Sequence, residues 1–256
     1  MDDAVLMFDT GAATHVGNVR ERNEDNFLVR PEAGVWSVAD GMGGHHAGDL
    51  ASKTVVDALQ VIEKAKSAQH LLEQCESSVI EANTRLRQIG LERGGITIGT
   101  TVAVLLVYGK DYACLWSGDS RIYRIRDSKI EQMSRDHTEA EELVAEGLLS
   151  REDMRNWPWR NVITRAIGVN DQPELDMING ELKDGDTFVI CSDGLTAHVG
   201  DEEILDQVEN GTSQQACDRL IALTLQRGAV DNVTVVVVRY QPSRTTAATA
   251  LSSVSG

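Results

Sequence analysis

Two stretches of the chain leave it little choice of fold. Residues 100–108 read TTVAVLLVY and residues 233–240 read VTVVVVRY. Both are apolar and β-branched with no polar alternation, the pattern of a strand covered on both faces. The first opens a meander. Gly109-Lys110-Asp111 supplies a turn, 112–117 (YACLWS) the next strand, Gly118-Asp119-Ser120 another turn, and 121–126 a third strand. Turns this tight join antiparallel neighbours. Further strand signals lie at 34–40 (GVWSVAD) and 186–192 (DTFVICS), while the DGMGG that follows the first of these is too glycine-rich to predict regular structure.

Helical periodicity appears in pairs. One pair is predicted over 49–66, with Val55, Ala58, Leu59 and Ile62 on one face, and over 68–91, with Leu71, Cys75, Val79, Ala82 and Leu86 on one stripe. A later pair is predicted over 201–209 and 213–227. Strands in meanders with helices in pairs are not the βαβα alternation of a parallel sheet. The predicted class is α+β, a four-layer α/β/β/α sandwich of two stacked antiparallel sheets flanked by helices. A polar stretch over 136–168, carrying Trp157-Pro158-Trp159, reads as an inserted flap, with the tryptophans anchoring it to the core. Residues 1–240 read as one domain, and 241–256, rich in Ser, Thr and Ala, as a disordered tail.

Composition narrows the partners. With 24 Lys+Arg against 40 Asp+Glu the net charge is −16, which disfavours nucleic acid and anionic membrane surfaces. No apolar run reaches the roughly 18 residues of a membrane span. The opening MDDAVLMFDTGAATH lacks the basic and apolar regions of a signal peptide. These features predict a cytoplasmic protein whose four cysteines, with no CxxC pair, are reduced and buried.

The acids are more telling by position than by number. Asp40, Asp119, Asp193 and Asp231 each stand where an apolar strand ends or begins. Singly, each has a plain structural reading. Asp40-Gly41 and Asp193-Gly194 are common turn pairs, Asp231-Asn232 suits the start of a strand, Asp119 could pair with Arg121, and Glu24-Asp25 could be a solvated charge pair. Together, acids on rigid strand tips would crowd like charges, raise one another's pKa values, and be relieved by a divalent cation. Oxygen-only ligands favour Mg²⁺ or Mn²⁺ over Zn²⁺.

At this point GNVRERNED (17–25), VADGMGGH (38–45), GTT (99–101), SGDSRIYR (117–124), CSDGL (191–195) and DNVTVVVV (231–238) together resemble the metal-dependent protein serine/threonine phosphatases of the PPM, or PP2C-like, family, in its bacterial branch. The resemblance spans roughly residues 10–240, with the motifs in the family's order. It implies a central antiparallel β-sandwich and a phosphoserine/phosphothreonine phosphatase that uses two Mn²⁺ or Mg²⁺ ions, with a weaker third. The implied metal ligands are Asp40, the Gly41 carbonyl, Asp193 and Asp231. Asp119 and Asp193 would form the third site, helped by a backbone oxygen near Asn161. Glu24 and Asp25 would hold metal-bound waters, and Arg20 would bind phosphate. A hydroxide bridging the metals would attack phosphorus in line without a phosphoenzyme.

One departure concerns the general acid. Many eukaryotic members carry a histidine where this chain has Met42, so His45 or His46 is the candidate, with a metal-bound water as the alternative. Implied partners are phosphoprotein substrates and an opposing bacterial Ser/Thr kinase, the enzyme acting as a monomer, with the flap at 136–161 flanking the site. Two other readings remain open here: a catalytically silent phosphatase-like regulatory module, and a phosphatase of small metabolites.

Overall fold

The computed structural model describes residues 6–43, 47–154 and 156–242. Two antiparallel sheets form its centre. The first runs in the order β1 (Leu6–His15), β11 (Val233–Pro242), β10 (Thr187–Cys191), β7 (Arg121–Arg126), β8 (Lys129–Gln132). The second runs β2 (Asp25–Arg30), β3 (Val35–Gly43), β5 (Val102–Tyr108), β6 (Asp111–Ser117), β9 (Asp176–Glu181), with β4 (Ile98–Thr100) paired to the end of β3. Helices α1 (Gly48–Gln60) and α2 (Ala68–Glu92) cover the second sheet, and α6 (Asp201–Glu209) and α7 (Ser213–Gln226) cover the first. The expected four layers are those the chain forms.

The apolar runs explain themselves once both faces are filled. Val235 and Val237 pack against Ala216 and Leu220 of α7, while Val236 and Val238 meet Trp36 and Leu105 between the sheets. In β5, Val104 and Leu106 face Val55, Leu71 and Val79 of the helices, and Ala103 and Leu105 face inward. A period of two therefore serves two cores at once, which is why the central residues of both strands are apolar on both faces. All four cysteines are free and buried, and no described helix is long and apolar enough to cross a membrane.

Several boundaries differ from the sequence expectation. The first helix ends at Gln60 rather than 66, because Arg30 donates to the carbonyls of Gln60 and Ile62 and so satisfies the helix end. Ser67 then caps α2 by accepting the His70 N–H at 3.1 Å. The glycine-rich segment after Asp40 is strand through Gly43, held by pairs Gly41↔Thr100, Met42↔Gly99 and Gly43↔Ile98. The run at 100–108 breaks at Thr101, between β4 and β5. Gln241 and Pro242, expected in the tail, belong to β11; residues 243–256 lie outside the described part.

The polar flap contains α3 (Glu139–Ala145) and α4 (Arg151–Met154), with α5 (Asp193–Thr196) following β10 at the site itself. Trp159 does not anchor the flap as expected, whereas Trp157 is half-buried with its ring nitrogen shielded from solvent. Trp157 and Trp159 stack edge-to-face at 5.9 Å, and Trp159 is exposed. Charge and backbone pairing tie the flap down instead. Glu141 is buried between Arg135 and Arg151, and Thr138 bridges to Ile163.

Candidate active site

Strand register gathers the acids at one end of the sandwich. Asp40 on β3 and Asp25 on β2 are directly opposed cross-strand partners. Ser117 closes β6, so Asp119 lies in the turn beside β5, and Asp193 opens α5 immediately beyond β10. Asp231 precedes β11, whose first residues pair with the end of β10. Asp25 and Asp119 are buried, while Asp40, Asp193 and Asp231 keep partial access to solvent.

The electrostatics follow from this crowding. Like charges directly opposed across a ladder are destabilising. Burial pushes the Asp25 carboxyl up to about 7, with Asp193 and Asp231 adding to the rise. Burial, then Asp193 and Asp136, pushes Asp119 up to about 8. Asp40 rises well above the carboxylate range through burial, then Asp25, Asp193, Asp119 and Asp231. Asp193 is raised by burial and Asp231, and a hydrogen bond with Asp40 opposes that rise. The cluster is in conflict with itself, and either protons or a cation must relieve it.

Neighbouring groups hold the acids in place. The Asp40 carbonyl accepts the Thr101 N–H at 2.8 Å and the Thr100 hydroxyl at 2.9 Å, and the Thr101 hydroxyl accepts the Asp40 N–H at 3.0 Å. Gly41 must be glycine: a Cβ there would lie 1.9 Å from the Gly48 carbonyl oxygen and 2.8 Å from that of Glu24. The Ser192 hydroxyl donates to Asp25 Oδ2 at 2.7 Å. Asn232 accepts the Glu24 N–H at 2.8 Å and donates to the carbonyls of Val16 at 2.9 Å and Arg22 at 2.8 Å. It thus pins the loop carrying Arg20 and Glu24 to the strand after Asp231. Ser192 and Asn232 were not assigned roles from sequence, although both adjoin a motif aspartate.

Several expected residues make contacts that their sequence context does not indicate. Arg20 donates to Asp231 Oδ2 at 2.7 Å, so the expected phosphate ligand contacts an expected metal ligand. Asp231 in turn holds the guanidinium protonated above its usual range. Asp119 does not pair with Arg121, which instead grips Asp136 through Nε at 2.9 Å and Nη2 at 2.7 Å. Glu24 places its carboxyl against Gly48 at the start of α1. Asn161 is exposed in the flap and makes no hydrogen bond to Asp119 or Asp193 among the described residues. His45 and His46 lie outside the described residues.

The donor set suits a hard divalent cation. Asp25 Oδ1 and Asp119 Oδ1 are buried and have no hydrogen-bond partner. Every candidate side-chain donor is a carboxylate oxygen, the chemistry of Mg²⁺ and Mn²⁺ sites. Among the described residues, no three His, Cys, Asp or Glu side chains are closed into a finished ligand cage. Asp231 is turned to Arg20.

Comparison with known proteins agrees with this geometry. The profile of the family described as Protein phosphatase 2C matches residues 12–233. The serine/threonine protein phosphatase PstP of Mycobacterium tuberculosis is 36% identical over 239 residues, covering 93% of this chain and 46% of that protein. The chain therefore spans about half the length of that relative. Among solved structures, PppA, described as a key regulatory component of T6SS in Pseudomonas aeruginosa, matches with TM-score 0.84 at 40% identity, covering 91% of this chain and 97% of that one. The catalytic domain of PstP in complex with 2 manganese ions matches with TM-score 0.82 at 33% identity, covering 93% and 100%. A profile match across nearly the whole sandwich, on a chain whose aspartates meet at one end of it, means that this protein belongs to the protein phosphatase 2C family.

Proposed function

We propose that the chain is a Mn²⁺/Mg²⁺-dependent protein serine/threonine phosphatase that acts in the cytoplasm as a monomer and opposes a Ser/Thr kinase. The observation that carries this reading is the opposed pair Asp25 and Asp40, with Asp119, Asp193 and Asp231 around it and two buried carboxylate oxygens left without partners. Asp40, the Gly41 carbonyl, Asp193 and Asp231 are the groups that would hold two cations, and Asp119 with Asp193 a weaker third. Glu24 and Asp25 would orient water beside them.

Two cations there would make water more acidic and screen the anionic phosphoryl group. The chain's own part is to place that group. Arg20 reaches the same patch from its loop, and a guanidinium offers two parallel N–H donors to two phosphate oxygens. Released from Asp231, it would hold the ester while Asn232 fixes the loop behind it. His45 is the candidate to protonate the departing alkoxide.

The test is turnover of a phosphothreonine peptide with Mn²⁺, after chelation and after readdition. Asp193→Asn and Asp231→Asn should abolish turnover while the circular dichroism spectrum is unchanged. Full turnover in both variants would overturn the metal assignment. Tight Mn²⁺ binding without turnover in the unaltered protein would favour a silent regulatory module, and faster turnover of sugar phosphates than of phosphopeptides would favour a metabolite phosphatase.

A further inference from the structure

Strand β9 forms the free edge of the second sheet, paired among the described strands only with β6, and its Glu181 end lies at the far end of β6 from the turn bearing Asp119. Among the described residues, Met177, Ile178, Asn179 and Gly180 make no backbone hydrogen bond beyond that pairing. Met177 and Ile178, whose side chains point to opposite faces, are 45% and 39% exposed. Natural edge strands are usually blunted by lysine, proline, a bulge or a covering segment. The sequence of β9, DMINGE, supplies neither lysine nor proline.

The helix-facing side of the same strand borders a cavity of about 360 Å³. Its floor is Leu106 and Ala113, and its wall is Ala68, Leu71 and Leu72 of α2, with Met177 on the open side. At its mouth Asp111 and Glu181 are directly opposed across the β6–β9 pair, both exposed. Opposed like charges on a ladder are unfavourable, and no described cation pairs with either. The arginines of β7 in the other sheet pair with other carboxylates, Arg124 with Glu131 and Arg126 with Asp186; Arg126 also donates to the Glu181 backbone carbonyl at 2.9 Å but not to its carboxylate.

We propose that β9 is a docking edge for an extended, basic segment of a partner protein. The segment adds a strand through the outward-facing backbone groups of Met177 and Asn179, sets a Lys or Arg against Asp111 and Glu181, and places an apolar side chain in the cavity. Strand addition takes affinity from the main chain and specificity from alternate side-chain pockets. Charge complementarity selects the occupant. The β9 of a second copy carries no basic residue, and its Asp176 is already paired with Arg165 at 3.0 Å, so it would bring only the Glu181 charge against this edge. The site lies at the start of β6, about 20 Å along the strand from the turn bearing Asp119. It recruits a partner without touching the reacting groups, whatever reaction the aspartates carry.

The probe is a synthetic peptide alternating lysine with valine, compared with the same peptide carrying glutamate for lysine. Binding is measured by calorimetry on the full chain, and hydrogen exchange locates the site. The lysine peptide is expected to bind, to slow exchange at Met177 and Asn179, and to weaken steeply with salt. The glutamate peptide should not bind. The exposed double change Asp111→Asn/Glu181→Gln should lower affinity about tenfold or more, and Asn179→Pro, at a position whose N–H faces away from β6, should remove the exchange protection, both with unaltered turnover of an aryl phosphate. The proposal is overturned if the lysine peptide fails to bind, if it binds the double variant equally well, or if sedimentation shows the edge buried in a homodimer.

Discussion

Replacing Asp25 by Asn tests the idea that crowded carboxylates strain the metal-free protein. Asn keeps the shape and can still accept the 2.7 Å hydrogen bond from Ser192, but it removes the charge facing Asp40. In the folded protein the Asp25 carboxyl titrates at about 7 instead of near 3.8. A carboxyl whose folded pKa is raised contributes stability that is complete below the unfolded pKa and is lost as pH rises through the folded one. Between pH 4 and 8 the loss is at most about 4 kcal/mol, from roughly three units at about 1.4 kcal/mol each. Asp40 and Asp193 draw on the same protons, so the four cannot be added for each residue in turn.

The assay is thermal unfolding in chelator at pH 5 and pH 8. At pH 5, only about one unit above 3.8, the two proteins should differ by less than about 2 kcal/mol. At pH 8 the Asn variant should be more stable by about 2–4 kcal/mol, or about 4–16 °C in Tm for a chain of this size. Saturating Mn²⁺ should then raise the unaltered protein more than the variant. A variant no more stable than the unaltered protein at pH 8, or a metal-free protein that gains stability from pH 5 to 8, would refute the reasoning.

Two other substitutions probe the scaffold and the phosphate ligand. Gly41→Ala would set a methyl 1.9 Å from the Gly48 carbonyl oxygen, forcing the start of α1 to shift, and should cost about 2–3 kcal/mol; an unchanged Tm in chelator would contradict the close approach. Arg20→Lys keeps the charge but loses the parallel donors. It should lower kcat/KM on phosphopeptides about tenfold or more, while the half-exposed Asp231 contact contributes less than about 1 kcal/mol to stability. A lysine variant with unaltered kcat/KM would remove Arg20 from the phosphate role.

The parts of the fold that the sequence makes legible are those with one physical solution. VTVVVVRY at 233–240 has apolar residues at consecutive positions, and only a strand between two cores uses them all. The aspartates stand out because each follows or precedes such a strand, where the backbone is stiff and the side chain is aimed. Other elements depend on distant partners. β1, LMFDTGAATH, carries Asp, Gly and Ala, weak strand formers. It is a strand because all ten of its residues pair with β11, from Leu6↔Pro242 to His15↔Val233. Its small residues are explained by α7, since a Cβ on Gly11 would lie 2.3 Å from the Gln214 nitrogen.

At the site, the same division holds. Asp25 looks like half of a solvated charge pair until register sets it opposite Asp40. Asn232 reads as the start of a strand until the chain's other end brings Val16, Arg22 and Glu24 to its side chain. The glycines at 41 and 43 resemble a loop because a strand of glycines has low intrinsic preference, and it forms here through pairing with β4 beneath the start of α1.

The most direct test is diffraction from crystals grown with Mn²⁺, using the anomalous signal of the metal to place the ions. The account predicts two strong peaks within ligand distance of Asp40, the Gly41 carbonyl, Asp193 and Asp231, with Arg20 withdrawn from Asp231. Peaks on other residues, or crystals that take up no Mn²⁺ between these aspartates, would contradict it.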